Sequence, residues 1–319
     1  MDSYCAEAPG GIGNFGPGLD VLGVALSGLA DRVWAVRDEE HTGVRIDRPG
    51  HPDLPRDATR HAAGIAATEV LRICGRSDLG ISLRCEKGLP LSGGQGGSAA
   101  SAIAGAVAVD ALLGRTLTTD ELIRAALAAE SKVSGRHADN IIPSLVGGIV
   151  LIRSLEEMDF VKLAVPESLH LVLVHPSYRV STADARRALP EWVERPTHIH
   201  QSAQVGAIVH ALATGDLELL GRAMDDRVAE PTRTPLLPGF TEAKRAAIEA
   251  GALGCSVSGA GPSAFAIVDD VKLGEEVAAA MVDAYGRRNV KASWRVTRVD
   301  EKGAHLVPAA EAPPVLRLV

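Results

Sequence analysis

The sequence predicts a two-domain protein that mixes α-helices with β-strands, and three observations carry the prediction. Its 319 residues exceed the roughly 100–200 of an ordinary single domain. Strand-like runs and amphipathic helical segments are mixed in the first half, and the second half repeats the mixture. Hydrophobic residues make up 46% and aromatics 3%, so the interior must be built from Ala, Val, Leu and Ile, a globular composition.

In chain order, the β-rich runs are DRVWAVRD (31–38), GVRID (43–47), GISLRCE (80–86) and GGIVLIRS (147–154). LHLVLVHP (169–176), CSVS (255–258) and SAFAIVDD (263–270) follow in the second half. Each is short and bounded by turn formers, as strands are. SAASAIAGAVAVDALLG (98–114) is apolar nearly all round and predicts a buried helix. TTDELIRAALAAESK (118–132) opens on Thr and Asp at an N-cap and keeps one apolar stripe. Further amphipathic helices are expected over 184–193, 202–215, 216–228, 240–252 and 273–288. The acidic RSLEEMD separates GGIVLI from FVKLAV. A boundary placed there divides the chain into 1–156 and 157–319.

The formal net charge of −7 argues against nucleic-acid binding, which needs a basic footprint. Cys5, Cys74, Cys85 and Cys255 form no CxxC pair, so neither a zinc ribbon nor a disulfide framework is expected. The N-terminal residues lack a secretory pattern, and no apolar run reaches the roughly 20 residues of a membrane span. A cytoplasmic protein with reduced cysteines and no membrane partner is expected.

LPLSGGQGGSAAS (89–101) places four glycines just before the buried helix. Glycine lets backbone N–H groups approach phosphate oxygens, and the helix adds its positive N-terminal end. The stretch is no Walker A loop, because the required Lys is missing. Alone it reads more readily as a turn with tight helix packing. Two further Gly-rich turns accompany it: GNFGPGLDVLG (13–23) and SGAGPSAFAI (258–267).

Together these stretches resemble the GHMP kinases, and among them the homoserine kinases. Pro90 followed by LSG and GQGGSAA is similar to the family's Pro, three variable residues and GLGSSAA. NFGPGLDVLG resembles NLGPGFDSLG, and SGAGPSAFA resembles SGAGPTVFA. HADNIIPSLVGG, STADARRALP and DRVAEPTRTPLLPGF resemble further stretches that favour the homoserine kinases over their relatives. The resemblance spans most of the chain. It implies an α+β fold of two parts, an N-terminal domain like ribosomal protein S5 domain 2 and a ferredoxin-like C-terminal domain, with the active site between them. A homodimer is implied on the same ground.

It also implies roles. Pro90, Leu91, Ser92, Gly93, Gly94, Gln95, Gly96, Gly97, Ser98, Ala99 and Ala100 would wrap the phosphates of ATP. Ser258, Gly259 and Gly261 would complete that wall. Ser98 and Glu130 would hold Mg²⁺, which favours hard oxygen ligands. L-Homoserine presents an ammonium, a carboxylate and a reacting hydroxyl. Asn14 and Asp20 would face the first, Arg186 and Arg233 would bind the second through planar guanidinium forks, and His137 and Asn140 would line the third. Asn140 is expected to orient the hydroxyl, with Asp139 the weaker candidate for a base and otherwise a brace for its loop.

The chain departs from the family at Gln95, where Leu is usual, and at Gly97, where the first Ser is usual. Leu19 and Gly11 are smaller departures. The expected activity is ATP-dependent phosphorylation of L-homoserine to O-phospho-L-homoserine in threonine synthesis. The alternatives are a kinase for another small alcohol and a weakly catalytic nucleotide-binding or regulatory protein. His198 and His200, read on a strand, would share one face. No further ligand accompanies them at a metal-site spacing, so a surface or packing role is expected.

Overall fold

The computed structural model describes residues 3–133 and 135–308. Two sheets carry the chain. The first half runs β1 (Ser3–Gly13), β2 (Leu22–Asp38), β3 (Gly43–Arg48), α1 (Ala62–Ile73), β4 (Gly80–Glu86), α2 (Gly97–Leu112), α3 (Thr119–Val133), α4 (Ile141–Val146), β5 (Ile149–Ser154) and β6 (Asp159–Leu163). The second half runs β7 (His170–Pro176), α5 (Thr182–Arg187), α6 (Arg195–Thr214), α7 (Leu217–Arg222), α8 (Ala229–Arg233), α9 (Phe240–Glu249), β8 (Gly254–Val257), β9 (Ala264–Val268), α10 (Val271–Arg287), β10 (Ala292–Thr297) and β11 (His305–Val307).

The larger sheet has the order β11-β1-β2-β4-β3, with β5 paired to β2 and β6 to β5. Only β3 and β4 run parallel among its described pairs. Helices α1, α2 and α3 cover it over a core rich in alanine. Small side chains let these helices approach closely: a Cβ on Gly105 of α2 would stand 2.9 Å from the Ala63 carbonyl oxygen of α1. Helix α2 is buried almost all round, as its unbroken apolar sequence requires.

The smaller sheet has the order β10-β7-β9-β8 and is antiparallel throughout. With α9 and α10 it follows the β-α-β-β-α-β plan of a ferredoxin-like domain, with α5 to α8 inserted before α9. Alternation sorts its two faces. Val172, Val174, Ala264 and Ala266 face α9 and α10. Leu171, Leu173, Phe265 and Ile267 face the opposite way, into a third core shared with Ile12, Phe15, Leu22 and Val24 of the first half. There Phe15 stacks on Phe265 with ring centroids 5.4 Å apart. This shared core holds the two sheets together and fixes the cleft above it.

The turn expected to divide the domains at 156 lies inside the β5–β6 hairpin, so the passage between sheets comes after Leu163. The chain then returns at its far end, where β11 pairs with β1. The helix expected over 184–193 stops at Arg187, because Pro190 lacks the N–H that a continuing turn needs. That expected over 216–228 stops at Arg222. Cys74, Cys85 and Cys255 form no disulfide, and Cys5, Cys85 and Cys255 are buried. No helix among the described residues is long and apolar enough to cross a membrane.

Candidate functional site

A cleft of about 330 Å³ lies between the sheets, lined from both halves. Its floor is the loop from Pro90 to Ser98. Ser92, Gly94 and Gly96 have φ of 50°, 72° and 66°, so the chain coils through left-handed turns that only glycine adopts without strain. Gly94 leaves no room for a side chain, since a Cβ there would stand 2.5 Å from the Ser258 carbonyl oxygen. Helix α2 starts directly after, with Gly96 as N-cap, no side-chain cap and no acidic residue in its first turn. Its leading N–H groups and dipole are therefore left for an anion.

The loop is anchored from behind. Ser258 Oγ donates to the Gly94 carbonyl at 2.6 Å and Ser263 Oγ to the Gly93 carbonyl at 2.6 Å. These bonds turn two carbonyls toward the smaller sheet, which suits a loop whose N–H groups serve the other side. Gln95, 4% exposed, donates its amide nitrogen to Ser263 Oγ at 3.1 Å. The departure at 95 is thus absorbed as a bond between the halves. Gly97 stands 3.3 Å, by its would-be Cβ, from Lys87 Nζ.

Ser98 Oγ donates to Glu130 Oε2 at 3.0 Å, bringing a hydroxyl and a carboxylate oxygen together at the start of α2. That pair is a suitable donor set for Mg²⁺. Glu130 Oε1 lies 3.6 Å from His137 Nε2, whose ring gives Nδ1 to Asp139 Oδ1 at 2.9 Å. The second Asp139 oxygen accepts the Asn14 backbone N–H at 2.8 Å. Burial alone would lower the pKa of His137, yet the bond to Asp139 and the charges of Asp139 and Glu130 hold it above the usual imidazole value. Burial pushes Asp139 up, but His137 and the Asn14 N–H outweigh it and hold the carboxylate below its usual range.

Asn140 is the N-cap residue of α4. Its Oδ1 is buried without a hydrogen-bond partner and touches the loop, 2.8 Å from where a Gly96 Cβ would be. Asn14 and Asp20 sit on the first Gly-rich turn with φ of 70° and 61°, and Asn14 Nδ2 donates to the Gly259 carbonyl at 3.3 Å. Arg186 grips the Asp20 carboxylate. Burial, followed by the nearby charge of Asp139, raises the Asp20 pKa despite that grip. Arg233, 4% exposed, donates to the Gly259 carbonyl at 2.8 Å and keeps its Nε without a partner. Burial lowers its pKa from the usual guanidinium value.

Most of the expected residues therefore converge on this one cleft, with Ser258, Gly261 and Gln95 behind the loop rather than over it and Ala99 and Ala100 of α2 buried in the core. Lys87, Asp31 and Ser101 were given no role in the sequence: Lys87 pairs closely with Asp31 and donates to Gly97 O at 2.9 Å and Ser101 Oγ at 3.0 Å. This buried knot pins the first turn of α2. No local signal marks it, because Asp31 lies 56 positions from Lys87. His198 and His200 lie on α6 rather than a strand. Residues two apart on a helix do not share a face, and His200 packs against the Asp225 carbonyl at 3.0 Å.

The pattern of GHMP kinases N terminal domain matches residues 61–148, and that of GHMP kinases C terminal matches residues 208–287. A homoserine kinase of Arabidopsis thaliana is 42% identical over 314 residues, covering 94% of this chain and 83% of that protein. One from Chlorobium phaeobacteroides (strain BS1) is 38% identical over 322 residues, covering 96% of this chain and all of that protein. The crystal structure of homoserine kinase from Cytophaga hutchinsonii superposes with a TM-score of 0.91 at 37% identity, covering 96% of this chain and 98% of that one. An L. major mevalonate kinase shares the fold, with a TM-score of 0.71 at 18% identity over 95% of this chain and 97% of that one.

Proposed function

The chain belongs to the GHMP kinases, and on that premise we propose that it transfers the γ-phosphoryl group of ATP to the hydroxyl of L-homoserine. The product is O-phospho-L-homoserine, an intermediate of threonine synthesis. The observation that carries the reading is the joining of two features in one cleft: a glycine loop at an uncapped helix N-terminus, and a ring of Asp20, Arg186 and Arg233 suited to a zwitterion.

Phosphoryl transfer relies mainly on positioning and charge neutralisation. The N–H groups of Gly93 to Ser98 bind phosphate oxygens, while Ser258 and Ser263 keep the carbonyls turned away. Ser98 and Glu130 would hold Mg²⁺, which neutralises phosphate charge when bound. Arg233 offers its free Nε to the substrate carboxylate. Arg186 shares that work while holding Asp20, whose carboxylate takes the ammonium with Asn14. His137, whose pKa is raised against its burial by Asp139 and Glu130, adds positive charge between Glu130 and the hydroxyl side when protonated.

Asn140 Oδ1 orients the hydroxyl, for it is a buried acceptor in need of a donor. Asp139 suits the base role less. Both of its oxygens are engaged and its pKa is depressed, so it braces His137 and the first Gly-rich turn. On the family's footing we place the chain in the cytoplasm as a homodimer.

Purified protein supplied with ATP, Mg²⁺ and a panel of homoserine, serine, threonine and mevalonate tests the reading. Turnover fastest with homoserine is expected. Preference for mevalonate would overturn the substrate, and nucleotide binding without turnover would overturn the activity.

A further inference from the structure

Behind the phosphate loop, on the side away from the main cleft, a second cleft of about 350 Å³ separates the two halves. Leu29 and Gln95 line it from one half, and His175, Ser293, Trp294 and Arg295 from the other. In the smaller sheet Ser293 pairs with His175 and Arg295 with Leu173. Paired residues share a face, and Leu173 faces the shared core. Arg295 is therefore carried on the face turned toward the first half.

Its guanidinium has a buried Nε and a buried terminal nitrogen, neither with a hydrogen-bond partner. No carboxylate among the described residues pairs with it. Burial pulls its pKa down to about 10. Gln95 supplies the complementary gap: its amide nitrogen is committed to Ser263, and its Oε1 is buried without a donor. His175 Nδ1 meets the same Ser263 Oγ at 3.0 Å. Since Ser263 gives its proton to Gly93, the His175 Nδ1 carries the proton in that contact. At the mouth stands Leu29, 36% exposed, so the cleft opens to solvent.

A buried cation without a partner disfavours the fold, and an apolar side chain of similar volume would pack at Leu173 without that cost. Neither nitrogen, nor Gln95 Oε1, has surface open to solvent, so an oxyanion reaches them only as the cleft walls part around it; it would then satisfy both guanidinium nitrogens at once, and a hydroxyl or amine beside it would donate to Gln95 Oε1. We propose that this cleft is a second ligand site, for a small molecule bearing a carboxylate or phosphate group next to a hydrogen-bond donor. Its occupancy reaches the phosphate loop through Gln95, which bonds Ser263, and through Ser263, whose Oγ holds the Gly93 carbonyl. Arg295 takes no part in the proposed phosphoryl transfer.

The test compares wild type with Arg295→Met, both with the main cleft filled by homoserine and a non-hydrolysable ATP analogue with Mg²⁺. Thermal melts are followed against inorganic phosphate, succinate and serine at constant ionic strength. In wild type at least one probe should raise Tm saturably, by about 2 °C or more. Arg295→Met should lose that shift, keep its kcat, and melt at or above wild type when no probe is added. The responding probe separates phosphate from carboxylate, and serine alone responding marks the need for the neighbouring amine or hydroxyl. No saturable shift with any probe, or equal shifts in both proteins, overturns the site. Should Arg295→Met not fold, Arg295→Gln serves in the same comparison, with the same loss of shift required.

Discussion

Arg186 clasps Asp20 with two guanidinium nitrogens, NH1 to Oδ2 at 2.7 Å and NH2 to Oδ1 at 3.0 Å, across 166 positions of sequence. Residues expected at opposite ends of the substrate thus act as one unit. Removing either partner leaves the other's charge unbalanced in a half-buried site. Asp20→Asn and Arg186→Gln should each lower kcat/KM for homoserine about 10- to 100-fold. The double variant should fall short of the product of the two effects, with a coupling of about 0.5–3 kcal/mol. A double-mutant cycle on kcat/KM measures it, and strict additivity would show that the ion pair is irrelevant to substrate binding.

Asp20 also predicts an acid limb. Its raised pKa means that protonation, and loss of the ammonium's partner, begins at a higher pH than for an ordinary carboxylate of about 3.9. The KM for homoserine should therefore rise as pH falls, and Asp20→Asn should abolish that rise. A pH profile with the same acid limb in both proteins would assign it elsewhere.

Arg233→Ala should raise the KM for homoserine about 10- to 100-fold, the size of one or two charge-assisted hydrogen bonds. Because Arg233 also holds the Gly259 carbonyl, a smaller rise in the KM for ATP should accompany it. A larger effect on ATP than on homoserine would place the guanidinium on the phosphate side.

Glu130→Gln keeps the shape of the side chain but removes its charge. The Mg²⁺ concentration for half-maximal rate should increase about 10-fold or more, as expected when a hard anionic ligand is lost. Titration of the initial rate with Mg²⁺ at fixed ATP reads this directly. An unchanged half-saturation point would take Glu130 out of the metal site.

The raised pKa of His137 makes its charged form a stabilising element. That contribution is fully present below the unfolded value of about 6.5 and is lost as pH rises through the higher native value. The Tm gap between wild type and His137→Gln should be widest in mild acid and close on the alkaline side. NMR of the ring protons should show Asp139→Asn lowering the His137 pKa. A ring that titrates alike in both proteins would contradict the pairing.

The geometry of the glycine loop before α2 and of the other Gly-rich turns was legible because it is local: glycines at left-handed positions announce themselves wherever they fold. Helix α2 was legible for the same reason. Strand β1 was not, because its GGIG tail reads as a turn, although Gly11 and Gly13 pair in register with Ala25 and Gly23. The stop of α7 was hidden by Asp226, whose carboxylate gathers the N–H groups of Val228, Ala229 and Glu230 to start α8. Side chains that bond their own backbone in this way compete with helix continuation. Least legible were the contacts of Ser263 with Gly93 and Gln95, at separations of 170 and 168 positions. Such pairs exist only once both sheets have met.

The return of β11 to the larger sheet bears on how the molecule is made. Cys5, Ala6 and Glu7 of β1 find their outer partners only in His305 to Val307. While the chain is being synthesised, the edge of the first sheet stays open until His305 to Val307 have emerged. An unpaired edge invites pairing with other chains, so a fragment cut after the first sheet's own helices would carry a sticky border. The two halves are thus joined like a belt and its buckle, and neither is a module to be expressed alone.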